Sequence, residues 1–226
     1  MSDKKRITIT IDGPSGVGKS TISRKVAARF GFTYLDTGAM YRAVAWYIKK
    51  HRIDLDDSLA IETALEHIDI DLLPAKHETE DVGVLLNNED VSELIRSPEM
   101  SMLASSVSAI PAVRNKLTRL QQKLGRRGNI VAEGRDTGTI VFPGAEYKFY
   151  LDARPQQRSG RRARQLRAKG ETVDEEKLLE MTIARDKQDS ERDIAPLRKA
   201  DDAVVIDTTE LDVAQVLNVI TDKIGL

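Results

Sequence analysis

Residues 13–20, Gly-Pro-Ser-Gly-Val-Gly-Lys-Ser, fill the pattern G-x-x-x-x-G-K-[ST] and stand between an alternating apolar run and a helical pattern. No other feature constrains the fold as much, because this pattern works as the turn from a buried strand into a helix. Ile7, Ile9 and Ile11 alternate with Thr8 and Thr10 as a strand requires, while Ile22, Val26 and Phe30 recur at helical spacing before Gly31 stops the helix. In that order a helix N-terminus points at the loop, and backbone N–H groups freed by glycine turn inward toward an oligophosphate. We expect Gly13, Pro14, Ser15, Gly16, Val17, Gly18, Lys19, Ser20 and Thr21 to cradle a nucleoside triphosphate. Lys19 then reaches the outer phosphates as a mobile cation, and Ser20 places its hydroxyl on Mg²⁺. The loop leaves the destination of the phosphate open, so the rest of the chain must supply an acceptor.

Five short apolar runs, at 7–12, 33–35, 130–132, 147–151 and 203–206, read as strands of a parallel sheet, with helical stretches between most of them. This alternation predicts an α/β layered fold whose functional groups gather beyond the carboxyl ends of the strands. The tail at 213–224 reads as a closing helix. One region breaks the pattern: 68–73, 82–86 and Asp90-Val91 look like short strands, with Asn87-Asn88 as a turn, too close together for helical crossovers. A small antiparallel lobe inserted at about 68–96 is the economical reading. His51, His67 and His77 lie away from every motif.

A chain of 226 residues with 40% apolar and 31% charged content can bury one substantial core. The absence of cysteine removes disulfides and thiol nucleophiles together, and is compatible with a reducing cytoplasm. Residues 1–6 run into the first strand without the apolar core of a secretory signal, and no stretch is long enough to span a bilayer. A net charge of -1 argues against a general polyanion-binding surface. The exception is Arg154, Arg158, Arg161, Arg162, Arg164, Arg167 and Lys169, a segment without one acidic residue. At helical spacing these cations form either a lid that closes on polyphosphate, a nucleic-acid contact helix, or a solvated face.

Candidates for the acceptor side follow the second and third strands. Thr37 in Asp36-Thr37-Gly38-Ala39-Met40-Tyr41-Arg42 can cap a helix with Arg42 near its first turn, which holds either a second phosphate or nothing but the helix. Asn129 to Thr139 puts Glu133, Arg135 and Asp136 beyond a buried strand. Glu133 occupies the place of an acid that assists Mg²⁺, Arg135 suits a phosphate and Asp136 a substrate amino group; an internal Arg–Asp pair is the alternative. Arg185, Asp189 and Arg192 fall at i, i+4, i+7, which makes either a salt-bridge ladder or a holder for ribose and phosphates.

Taken in order, the phosphate loop, residues 36–42, the segment Gly-Arg-Asp-Thr-Gly-Thr-Ile-Val-Phe-Pro at 134–143 and the Arg185/Asp189/Arg192 helix resemble the bacterial cytidylate kinase family over nearly the whole chain. The segment at 134–143 is the most specific part, since phosphate loops occur in many families. The resemblance implies a P-loop kinase fold: a five-stranded parallel sheet flanked by helices, an inserted antiparallel monophosphate-binding lobe and an arginine-rich lid. Its implied boundaries within one unit are a core at about 1–36, 104–153 and 195–226, a monophosphate-binding region at 37–103, and a lid at 154–194. It implies Mg²⁺-dependent transfer from ATP to CMP or dCMP in a cytoplasmic monomer, with neither nucleic acid nor membrane as partner. Ser105, Arg114 and Asp136 then correspond to residues that read the cytosine edge, Thr37, Arg42, Arg135 and Arg192 to the acceptor-phosphate clamp, and Arg185 and Asp189 to the ribose contacts. Lys19, Arg135, Arg158, Arg162 and Arg192 are the expected catalytic cations. Thr37 stands where serine is common in the family, and Glu133 where some relatives carry aspartate. Rival readings are a small phosphate-loop kinase of another acceptor, such as shikimate, and a nucleotide-regulated nucleic-acid-binding protein. A GTPase switch is disfavoured, because a guanine-reading N-K-x-D is missing: Asn115-Lys116 is followed by Leu117-Thr118.

Overall fold

The computed structural model describes residues 6–73, 81–168 and 170–225. His77, Lys169 and residues 1–5, which entered the sequence reading, lie outside the described residues. The chain runs β1 (Thr8–Asp12), α1 (Lys19–Phe30), β2 (Thr33–Asp36), α2 (Thr37–Lys50), α3 (Ser58–Glu66), β3 (Ile70–Leu73), β4 (Gly83–Leu86), β5 (Glu89–Asp90), α4 (Pro98–Val107) and α5 (Pro111–Gly125). It continues through β6 (Ile130–Gly134), a π-helical turn (Thr137–Val141), β7 (Tyr147–Asp152), α6 (Pro155–Ala168), α7 (Glu175–Glu191), β8 (Val204–Asp207) and α8 (Val213–Ile224).

Five strands form a parallel sheet in the order β2-β6-β1-β7-β8. β1 lies in the middle, flanked by β6 and β7, which explains why Ile9, Thr10 and Ile11 are all wholly buried. One layer packs Ile22, Val26, Val216 and Ile220 of α1 and α8 against Ile9, Ile11 and Phe149. The other layer packs Met40, Val44 and Ile48 of α2 with Val113 and Leu117 of α5 against Leu35 and Ala132. The carboxyl ends of β1, β2 and β6 therefore open on one side of the molecule, with Asp12, Asp36 and Glu133 at the edge.

The inserted lobe has the antiparallel order β3-β4-β5. Asn87 and Asn88 hold positive φ, 51° and 66°, the conformation a two-residue hairpin turn requires and asparagine tolerates. The lobe packs on the α2 layer through Ile70, Val84, Leu86, Val91 and Ile95. His51 and His67 are the C-caps of α2 and α3, remote from the strand ends. Among the described residues no helix is long and apolar enough to cross a membrane.

Candidate active site

The phosphate loop is shaped by its glycines at two points. Gly13 has φ 148°, and a Cβ there would come 2.1 Å from the Leu151 carbonyl oxygen of β7, so only glycine fits. Gly16 has φ 76° and lies against the first turn of α6, where an added Cβ would meet Arg158 at 3.2 Å. α1 begins with no side-chain cap and no acid in its first turn, which leaves its N–H groups free for an anion. Lys19 is 7% exposed and its Nζ donates to the Pro14 carbonyl at 2.6 Å, so the ammonium lies folded along the loop. Burial, together with the nearby Arg135, lowers its pKa well below the usual lysine range.

Ser20 donates to Glu133 Oε1 at 2.7 Å, and the Tyr34 hydroxyl donates to the same oxygen at 2.7 Å. Glu133 Oε2 is buried without a hydrogen-bond partner among the described residues. A hydroxyl and a free carboxylate oxygen side by side are hard oxygen donors, and they fit a Mg²⁺ carried on nucleotide phosphates. Burial and the neighbouring Asp36 push the Glu133 carboxyl up, an effect that a cation would reverse.

The acceptor side begins with a revision of the capping assignment. Asp36, not Thr37, caps α2, accepting from Ala39 N at 2.8 Å. Thr37 is the first helical residue, and its hydroxyl donates instead to the Glu133 carbonyl at 2.6 Å, tying α2 to β6. A carboxylate one residue earlier reaches the N3 amide, so the cap goes to the acid. Arg42 lies 3.2 Å from Asp36 Oδ2, and its Nε has no hydrogen-bond partner among the described residues. Burial pushes the Asp36 carboxyl up, but Arg42 and Arg96 outweigh burial and hold it below the usual range.

Beyond Arg42, two buried acids organise the site. Asp189 accepts from Ser105 Oγ at 2.6 Å and from Arg135 Nε at 2.7 Å. Burial raises its pKa, yet Arg135 and Arg185 bring it down to about 2. Arg185 donates to Ser15 Oγ at 2.9 Å, so α7 touches the phosphate loop directly, while its Nε has no hydrogen-bond partner among the described residues. Asp136 is paired with Arg114 and lies 3.6 Å from Arg192. Burial pushes the Asp136 carboxyl up to about 6 despite Arg114. The Arg114 guanidinium stands 5.5 Å over the Tyr41 ring, a cation–π contact that fixes its plane.

Arg192 departs from the helical spacing. α7 ends at Glu191, and Arg192 is its extended C-cap, folded back so that Nε and Nη2 donate to the Ala195 carbonyl and Nη1 donates to Ser108 Oγ at 2.6 Å. It therefore stands with Asp136 and Arg114. The α6 cations are also less free than their sequence implies. Arg158 is 3% exposed; it donates to the carbonyls of Ala153 and Ser15 and forms a two-point pair with Asp186. Arg154 pairs with Glu210, Arg161 donates to Thr208, and Arg167 pairs with Glu175. Carboxylates from outside that helix thus neutralise part of its charge. Arg162 differs: it lines the cleft, and its one hydrogen bond among the described residues is at 3.4 Å to Gln165 of its own helix.

Every predicted site residue except Gly13 and Pro14, which form the back of the loop, lines one cleft of about 950 Å³. Sequence reasoning missed Asp12. Its carboxylate is 4% exposed and accepts from Thr137 N at 2.9 Å, Thr137 Oγ1 at 2.7 Å and Gly138 N at 2.7 Å. These bonds set the π-helical turn and aim Arg135 and Asp136, which precede it, into the cleft. The available signal was an acid at the end of a buried strand, which must find donors. Arg96 and Tyr34 were missed as well.

Comparison with known proteins places this geometry. The family model described as cytidylate kinase matches residues 9–225. The chain is 47% identical to the cytidylate kinase of Carboxydothermus hydrogenoformans, covering 96% of each chain. It is 48% identical to that of Syntrophotalea carbinolica, over 94% of this chain and 89% of the relative. It also matches a bifunctional pantoate ligase/cytidylate kinase of a Synechococcus strain at 46% identity, spanning 44% of that longer protein. Among solved structures, a shikimate kinase from Bacteroides thetaiotaomicron superposes with TM-score 0.50 at 9% identity, over 98% of this chain and 100% of that one, a likeness of fold alone. The matched span contains the phosphate loop, both buried acids and their arginines, and on this match the chain belongs to the cytidylate kinase family.

Proposed function

We propose that the protein transfers the γ-phosphoryl group of Mg²⁺-bound ATP to CMP or dCMP by direct in-line displacement, giving ADP and CDP or dCDP. The observation that carries this reading is one cleft with two unlike ends: a glycine loop at a free helix N-terminus, and an arginine-lined pocket closed by Asp136. Two arginines that line this cleft, Arg42 and Arg185, each have a buried Nε without a hydrogen-bond partner among the described residues, which suits an anion-binding site.

The loop N–H groups and Lys19 hold the donor phosphates, with the ammonium leaving Pro14 as they bind. Mg²⁺, held on the nucleotide by Ser20 and Glu133, would supply charge neutralisation of the outer phosphates. Arg42 and Arg135 hold the acceptor phosphate so that one oxygen faces the γ-phosphorus. That oxygen is already ionised near neutral pH, so no general base is needed, and positioning with electrostatics carries the reaction. Asp136 accepts from the cytosine amino group while Arg114 donates to the ring edge; Arg192 belongs with this base-reading group by its position. Asp189, Ser105 and Arg185 suit the ribose hydroxyls. Arg158 serves as the joint between α6, α7 and the loop, and Arg162 faces the transferring group. We further take the protein to be a monomer.

Initial rates with ATP and CMP both varied test the mechanism. Converging lines with CDP as product are expected; parallel lines, or ADP release that ignores CMP, would overturn it. A pH dependence follows from Asp136, because only its ionised form accepts from the cytosine amino group, and a protonated carboxyl donates instead to the uracil carbonyl. The ratio of kcat/KM for CMP to that for UMP is therefore expected to fall as pH drops from 7 to 5, turning near 6. The two acceptors carry the same phosphate, so its own titration cancels in the ratio. A flat ratio contradicts the base-reading role.

A further inference from the structure

The antiparallel lobe enters the scheme above through no named side chain, yet it carries a cation to the acceptor mouth. Val91 and Ile95, both wholly buried, anchor the segment after β5 against the α2 layer. Arg96 follows at once, before Ser97 caps α4. Its side chain is 18% exposed and stands 3.5 Å from Asp36 Oδ2, the same atom that Arg42 reaches at 3.2 Å. Arg96 also lies 3.3 Å from Asp81 Oδ2 and donates to the Val82 carbonyl at 3.0 Å. Asp81 in turn pairs with Arg24 of α1, on the donor side. Three guanidiniums and two carboxylates thus form a chain along one wall of the cleft, with cations in excess.

One carboxylate oxygen shared by two guanidiniums at those distances leaves both short of the two-point pairing that arginine makes with a full oxyanion. A phosphate dianion between Arg42 and Arg96 supplies the missing oxygens. We infer that Arg96 is a further ligand of the acceptor's phosphate, brought to the site by the antiparallel lobe and held ready there by Asp36. The inference rests on the two-nucleotide reading above. It names the side chain by which the lobe reaches the phosphate pocket, one that the parallel core does not supply.

CMP and cytidine, which differ only in the phosphate, separate this role from a structural one. In Arg96→Gln the inhibition constant of cytidine against CMP phosphorylation is expected to stay within about twofold of the unmodified protein. CMP binding, measured by calorimetry, is expected to weaken about 30-fold, the order set by charge-assisted hydrogen bonds. KM for ATP should hardly move. Where the glutamine variant does not fold, Arg96→Lys keeps the charge near Asp36 and Asp81 but loses the planar fork, and a loss of about fivefold confined to CMP is expected. An unchanged ratio of CMP to cytidine affinity in a folded variant overturns the assignment of Arg96 alone. Failure of the unmodified protein to bind CMP overturns the two-nucleotide reading and this inference with it.

Discussion

Lys19→Met is expected to lower kcat about a thousandfold while CMP affinity stays within about threefold, the scale observed when one preorganised charge is removed from a transition state. Methionine preserves most of the buried stem, so the loss is confined to the ammonium. In the resting protein that ammonium donates to the Pro14 carbonyl, 2.6 Å away. Its larger work comes when phosphate oxygens replace Pro14 and the outer charge grows during transfer. Rapid-quench measurement of single-turnover rates, with CMP titration by calorimetry, checks both halves. A variant that keeps a tenth or more of kcat would mean that Arg135, Arg185 and Arg162 carry the charge without it.

Asp136→Asn is expected to reduce kcat/KM for CMP by about a hundredfold or more while altering that for UMP less than tenfold. A site built around a specific hydrogen bond rejects ligands strongly when that bond is spoiled. The amide can rotate to present either an acceptor or a donor, so the bias toward an amino group disappears. Stability also suffers, because Arg114 is 3% exposed and would lose its anionic partner; roughly 3 kcal/mol is the usual scale for breaking a buried pair. Parallel thermal melts and competition between CMP and UMP separate the two effects. Unchanged base discrimination in a folded variant would remove Asp136 from recognition.

Much of the fold was legible because its signals are local. The glycines of the loop, the β-branched run before it and the double asparagine of the lobe hairpin each prescribe a backbone conformation from neighbouring residues alone. The antiparallel strands β3, β4 and β5 differ from their expected limits by no more than two residues at any end. Residues whose roles depend on distant partners were harder to read. Asp12 looks like the last residue of a strand, and only the fold brings Thr137 and Gly138 to its carboxylate. Arg158 reads as one of several helix-face cations until Asp186, on another helix, meets it. Arg192 fits an i+7 spacing, but the helix ends one residue before it, and its hydrogen bonds to Ala195 and Ser108 are ones that no spacing encodes. Arg96 carries no motif at all; its significance arises from sharing Asp36 with Arg42.

The same contrast applies to the site. Residue types at strand ends marked where a second phosphate and a base reader are proposed, since charges at buried ends need partners or ligands. How those charges are divided among donor, acceptor and lid follows from pairings that no spacing encodes.

The phosphate loop and the Asp136 pocket are proposed as the donor and acceptor sites of one transfer. Its most direct test measures kcat/KM for ADP release from Mg²⁺-bound ATP with CMP, dCMP, UMP, AMP, GMP and shikimate in turn. The account predicts that CMP and dCMP lead, with UMP weaker and the others near background; activity confined to non-pyrimidine acceptors would contradict it.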